Sequence, residues 1–352
     1  MQKINISVAP MDGITDIALR KTLASGENFI KYTPDIIFTE FINVEALHRD
    51  IRSANRAMIK LLTTPNDEKK ALSTYKELFE KYNISSSDSD SFLSSFKSAY
   101  KGKQMAQLYG KNPKLFAEAT SKIIELGYDG VDINMGCPAK KIARRMEGAG
   151  LIKTPEIAIE IIDQVKNIVN SSNIGKDFTI SVKTRLGFET DIAEEWLSLL
   201  DKQDLSYITL HGRTFAQGYT GNANWERIGE VRKNLQTKII GNGDIISIED
   251  AKEKQSQYDL FGVMIGRNYN AFIKPDRLSR LSALYYYLKN HQLLISGFFR
   301  SSDSAYASAK KVIVTFLKFL ESKNNLQYNL LCAKSYEEAF KLIDQEISTV
   351  CN

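Results

Sequence analysis

The chain has 352 residues, 43% hydrophobic and 25% charged, which sets aside a disordered chain, a collagen and a disulfide miniprotein. Mean hydropathy is -0.27, and no run reaches the ~18 uninterrupted apolar residues that a membrane span needs. The net charge of +5 is uneven: residues 271–352 hold 11 Lys and Arg against 7 Asp and Glu, so the first 270 are nearly neutral.

The opening, MQKINISVAPMDG, is not read as a signal peptide, because Asp12 and Asp16 interrupt any apolar core. A first strand is predicted over Ile4–Ala9 and a second over Asp35–Thr39. The polar segment 63–103, containing ISSSDSDSFLSS, breaks the rhythm. It reads as an insertion that joins a short helix, Asn66–Tyr82, to a flexible Ser/Asp loop. Strands then follow at Met105–Leu108, Gly130–Asn134, Thr179–Lys183, Tyr207–His211, Lys238–Gly241 and Gly262–Ile265. Helices are predicted between them. Pro113–Leu126 has Pro at its start and Gly127 past its end, and Pro155–Val169 has Thr154 as the expected N-cap. Several strands are continuous apolar runs, as parallel strands covered on both faces should be.

Eight strands alternating with helices predict an α/β fold, a (β/α)8 TIM barrel over residues 1–270. A doubly wound sheet would carry G-x-G-x-x-G in its first turn, and that turn here reads APMDGITD. From residue 271 onward no strand is predicted. Leu278–Leu288, Ala305–Leu320 and Tyr336–Ile347 space apolar residues between charges, as in a small all-helical C-terminal domain, 271–352.

A barrel's active site lies at the carboxyl ends of its strands. There the sequence places Pro10, Met11 and Asp12, then Glu40, Gln107, Asn134, Lys183, Arg185, His211 and Arg213. Asn242, Gly243 and Asp244 follow the seventh strand, and Gly266 and Arg267 the eighth. The last two turns, GNGDI and IGRN, suit a phosphate, since glycines admit an anion to backbone N–H groups. A cationic Lys183 would favour a ring that gains negative charge on reduction, as a flavin does. Cys137 sits in NMGCPAKKI, past a strand end. Lys140, Lys141, Arg144 and Arg145 follow it, and nearby positive charge is expected to lower its pKa. With only Cys332 and Cys351 besides and no CxxC, neither a disulfide framework nor a metal site is expected, and a cytoplasmic, reducing compartment is the simplest reading. The Tyr285–Tyr287 run reads as core in preference to an RNA-stacking surface.

The segments APMDGITD, AQLYG, DINMGCPAKKI, SVKTRLG, LHGRTFAQGYTGNANWERI, IIGNGDI and GVMIGR, spread over residues 9–267, resemble the tRNA-dihydrouridine synthase family in order and spacing. The resemblance implies an FMN-dependent enzyme that reduces a uridine in tRNA to 5,6-dihydrouridine with NADPH. It implies FMN contacts at Pro10, Met11, Asp12, Gln107, Lys183, His211, Asn242, Gly243, Asp244, Gly266 and Arg267. Cys137 matches the catalytic cysteine that gives a proton to C5 while C6 receives hydride. Asn134 and Arg185 would meet the uracil edge or its phosphate, and Lys140 and Arg144 the RNA backbone. tRNA is the expected partner; no membrane and no stable protein partner is implied, and a monomer is expected. Alternatives from other classes are an FMN barrel acting on a free dihydropyrimidine and a non-catalytic RNA-binding barrel.

Overall fold

The structure is a computed structural model that describes residues 4–49, 57, 60–61, 100–172, 174, 177–295, 301–318 and 325–351. Nine parallel strands form on runs rich in apolar residues: β1 Ile6–Val8, β2 Ile36–Phe38, β3 Ile42–Asn43, β4 Lys103–Tyr109, β5 Gly130–Met135, β6 Thr179–Arg185, β7 Tyr207–His211, β8 Ile239–Asn242 and β9 Gly262–Ile265. The ring closes through β1 with β9 and β2 with β4. β3 pairs with β4 alone, Ile42 opposite Leu108, beyond the point where β2 leaves it. β2 and β3 are therefore two pieces of one stave, interrupted at residues 39–41. Eight staves make the TIM barrel that the alternation predicted.

The differences from expectation fall at element ends. β5 and β6 run on to Met135 and Arg185, so Arg185 is part of a strand. β4 begins at Lys103, inside the segment read as an insertion. Residues 63–99 of that insertion, with the helix expected at Asn66–Tyr82, lie outside the described residues. Thr154 stands at the N-cap of the helix that begins at Pro155, but its hydroxyl makes no capping hydrogen bond and is buried without a partner among the described residues.

Between the strands lie α1 Ile17–Leu23, α2 Val44–His48, α3 Pro113–Glu125, α4 Lys140–Ala143, α5 Pro155–Ser171, α6 Ala193–Asp201, α7 Trp225–Arg232 and α8 Ile248–Gln257. The C-terminal region holds α9 Arg277–Ile295, α10 Ser302–Leu317, α11 Leu326–Cys332 and α12 Tyr336–Cys351. α9 is much longer than Leu278–Leu288. It packs against α1 on one side and against α10 and α12 on others. Leu281, Leu284, Leu288, His291 and Ile295 form one buried stripe, and Ala283, Tyr287, Asn290 and Leu294 beside it are buried too, which widens the covered face to about half the circumference and blurs the single apolar stripe that periodicity detects. Tyr287 is fully buried, as the core reading required. No helix among the described residues is long and apolar enough to cross a membrane.

Residues two apart on a strand share a face. Met105, Tyr207, Ile240 and Met264 form an apolar layer with Ala9, Ile36 and Phe38. Two positions further along come Gln107, Thr209 and Asn242, so the same inward face turns polar toward the carboxyl ends.

Candidate active site

That polar layer opens into a cavity of about 590 Å³, within the size range of small-molecule sites. Its walls are the strand ends. Pro10, Met11 and Asp12 come from the loop after β1, Gln107 from β4, and Asn134 and Cys137 from the end of β5 and its loop. Lys183 and Arg185 come from β6, and His211 from β7. The loop after β8 gives Asn242, Gly243 and Asp244, and that after β9 gives Gly266 and Arg267. The expected site residues thus line one cavity, except Glu40 and Arg213, which are buried but do not border it, and Lys140 and Arg144, which are exposed at the two ends of α4, just beyond the lining residues Pro138 and Ala139.

A chain of buried hydrogen bonds fixes the thiol's loop. Asp132 accepts from Ser181 Oγ at 2.6 Å and from Gln107 Nε2 at 2.7 Å. Gln107 Oε1 then accepts from Asn134 Nδ2 at 2.9 Å. Asn134 Oδ1 in turn accepts the N–H groups of Gly136 and Cys137. Each group in the chain is oriented by the one below it, and the amide orientations follow from these partners. On the opposite side of β6, Lys183 Nζ donates to Asn242 Oδ1 at 3.0 Å, and Asn242 Nδ2 donates to the Met264 carbonyl at 2.9 Å.

Two buried arginines brace the rim. Arg185 Nε donates to the Gly136 carbonyl at 2.7 Å, and Nη1 to those of Thr214 and Gly218 at 3.0 and 3.1 Å. It therefore ties the Cys137 loop to the loop after β7. Arg213 Nη2 donates to Asp244 Oδ2 and to the Gly221 carbonyl, both at 2.6 Å. Asp244 is thereby largely occupied by the protein: Oδ2 also accepts the Ala223 N–H, and Oδ1 pairs with the exposed Arg267.

Burial governs the ionisation here. The Cys137 thiol is pushed up from its ordinary value by burial, more than the Ala139 N–H and the Arg185 and Lys183 charges pull it down. This corrects the expectation that the following basic run would lower it. Lys140, Lys141, Arg144 and Arg145 are exposed to water, where their fields are screened, and the cations that act on the sulfur come from β6. Lys183 is brought down to about 8 by burial and by Arg185. His211 is held far below its ordinary value by burial and by the Lys183 and Arg185 charges, so it is neutral, and its Nδ1 has no protein partner.

Three glycines shape the walls. Gly243 has φ +128°, and a Cβ there would meet Ala223 Cβ at 2.5 Å, so only glycine fits. Gly266 faces open space, with nothing nearer to a built Cβ than Ala9 Cβ at 3.8 Å. Gly148 backs the thiol: a Cβ at that position would lie 3.0 Å from Cys137 Cβ. The sequence reading placed Arg213 at a strand end but did not assign Phe41 or Tyr219. Both line the cavity, and Tyr219 is 59% exposed with the Arg267 guanidinium 4.9 Å from its ring centre. The signal was present for Tyr219, which belongs to the HGRTFAQGYTG run, but it does not follow a strand directly.

With this geometry in hand, a family model described as dihydrouridine synthase matches residues 7–284. The chain belongs to the dihydrouridine synthase family. The family is one of oxidoreductases, so the chain is an enzyme. A Staphylococcus aureus (strain MRSA252) protein described as a probable tRNA-dihydrouridine synthase is 28% identical over 350 residues, 96% of this chain and 92% of its own. A Bacillus subtilis (strain 168) protein described as a probable tRNA-dihydrouridine synthase 2 is 29% identical over 349 residues, with the same coverage. Among solved structures, 6-hydroxypseudooxynicotine amine oxidase of Pseudomonas geniculata superposes with a TM-score of 0.50 at 11% identity, over 89% of this chain and 50% of that one. That likeness is one of barrel fold. The dihydrouridine synthase match covers every strand and the start of α9.

Proposed function

We propose that this dihydrouridine synthase reduces a uridine in tRNA to 5,6-dihydrouridine in the cytoplasm, with FMN as cofactor and NADPH as reductant. The observation that carries the reading is a buried, protonated thiol sharing one cavity with Lys183, His211 and the Gly243 and Gly266 turns. The residues fit a flavin. Gly243 and Gly266 leave backbone approachable for a phosphate beside Arg267. Lys183 supplies positive charge, and the unpartnered His211 Nδ1 and the Gln107 and Asn134 amides supply polar contacts.

FMN, when bound, supplies the hydride that C6 of the uracil receives. The protein's part is the proton. Cys137 Sγ–H donates to C5, which suits a thiol that is neutral near pH 7 and leaves as a tolerable thiolate. The positive charges of Arg185 and Lys183 stabilise that thiolate, and water returns its proton. Asn134 keeps the thiol's loop in register during the transfer. The target base must leave its stack to reach the cavity. Lys140 and Arg144, exposed beside the Cys137 loop, then meet the RNA backbone.

The test uses unmodified tRNA, free uridine and NADPH. Wild type forms dihydrouridine on tRNA and not on the free nucleoside. Cys137→Ala lowers tRNA reduction by about 10²-fold or more while NADPH still reduces the bound flavin. Equal loss of both half-reactions, or turnover of the free nucleoside, overturns the reading.

A further inference from the structure

The wall formed by Pro10, Met11 and Asp12 is closed into a turn. Thr15 Oγ1 accepts the Met11 N–H at 2.9 Å, and the Ile14 and Thr15 N–H groups donate to the Met11 carbonyl at 3.1 and 3.0 Å. The next residue, Asp16, caps α1: its Oδ1 accepts the Leu19 N–H at 2.8 Å. Its other oxygen faces away from the barrel. Tyr287 of α9 donates its hydroxyl to Asp16 Oδ2 at 3.1 Å, and His291 Nε2, one turn on, stands 3.8 Å from the same oxygen.

His291 continues the connection. The Ser308 hydroxyl of α10 donates to the Ala305 carbonyl at 2.7 Å, so at 3.2 Å from His291 Nε2 it can only accept. Nε2 therefore carries the proton, and Nδ1 accepts from the Tyr336 hydroxyl of α12 at 2.7 Å. One carboxylate at the edge of the cavity wall is thus joined to three C-terminal helices. A separate contact reaches the same loop: Lys311 of α10 lies over Gly13, where a built Cβ would meet its Nζ at 2.7 Å.

We propose that Tyr287 and His291 are positioning residues for the reaction, and that the C-terminal helices hold the 10–13 wall in the shape the flavin site needs. This rests on the flavin reading above. Asp12 lies in the hydrogen-bonded turn Met11–Thr15 and Asp16 follows that turn directly, so a shift at Asp16 is carried to the wall with little slack. Helices whose sole task was to present charge to RNA would need no buried hydroxyl on this carboxylate. Removing that hydroxyl leaves a buried acceptor short of a donor, and the loop must move to find water.

Tyr287→Phe is the test, because it keeps the ring and its packing on Phe316, 5.8 Å away between centres, and deletes one hydroxyl. Two readouts are expected to move. Amide hydrogen exchange over Met11–Asp16 quickens, and the dissociation constant for FMN, read by fluorescence quenching on the apoprotein, rises about 5–10-fold. KM for tRNA stays at the wild-type value. Tyr285→Phe, on another face of α9, moves neither readout. Should Tyr287→Phe not fold, Asp16→Asn keeps the cap through its amide oxygen and puts an amide donor where Tyr287 meets an acceptor, and is read in the same way. Unchanged loop exchange with unchanged FMN affinity, or a rise in tRNA KM alone, overturns the proposal. If wild type takes up no FMN, the flavin reading fails, and loop exchange alone decides whether α9 controls the wall.

Discussion

Asn134 Oδ1 accepts the backbone N–H of Cys137 at 2.9 Å and that of Gly136 at 3.0 Å, so a single side-chain oxygen sets the turn that presents the thiol. Asn134→Ala leaves those two buried donors and Gln107 Oε1 without partners. The expected cost is about 2–4 kcal/mol of folding stability, measured by denaturant melts, with dihydrouridine formation falling further than stability alone explains. Asn134→Asp keeps the acceptor and loses the donor to Gln107, so it should fall between wild type and Asn134→Ala in both measurements.

Lys183 is brought down to about 8, so its charge is present at pH 7 and mostly lost at pH 9. On the proposed reading, in which Lys183 contacts the flavin, that contact weakens as pH climbs through 8. FMN affinity measured at the two values should drop at the higher one. Lys183→Gln should bind more weakly at pH 7 and show little further change at pH 9.

The Cys137 thiol is raised, and a group that must be protonated to act works below its folded value. Single-turnover reduction of tRNA, followed from pH 6 to alkaline values, should stay level through neutrality and decline only above the range of an ordinary thiol. A decline beginning below pH 7 would mean that a different acid donates the proton. His211 is neutral throughout and should contribute no limb near pH 6.

Asp16 is pushed up to about 7 from 3.8, mainly by burial, with Glu40 adding to the shift. Between those values the native chain holds a proton that the unfolded chain has released. Stability therefore falls as pH rises across that window and is flat, for this group, above it. Unfolding midpoints in urea at pH 5 and pH 8 should differ less in Asp16→Asn than in wild type.

Lys140 and Arg144 are exposed and line no part of the cavity, so their contribution should be to RNA affinity alone. Each replacement by Ala should lower the slope of log affinity against log salt by about 0.7–0.9. FMN binding, titrated in the same buffers, should not change.

The barrel was legible because parallel strands buried on both faces leave largely apolar runs, and polar residues stand at or just past the carboxyl ends of those runs. Cys137 and Lys183 could be singled out on that pattern. What the chain order hid were consequences of side chains meeting across loops. Arg213 and Arg185 could be placed at strand ends, but not their partners: both donate to backbone carbonyls of neighbouring loops. The basic run after Cys137 read as a thiol activator, but one short helix turns it out to water. The bond from Tyr287 to Asp16 joins residues 271 positions apart, and no local pattern announces it. β3 escaped notice for a different reason: two residues are too few to show a period.

Gly148 has φ +57°, and a Cβ built there would lie 3.0 Å from Cys137 Cβ and 3.2 Å from Ile142 Cγ2, so another residue would be strained and would have to displace a neighbour. The loop that carries the thiol thus has a fixed backstop. On the proposed reading, the room for a pyrimidine is set partly from behind the sulfur, and a redesign aimed at bulkier heterocycles has nothing to gain at that position.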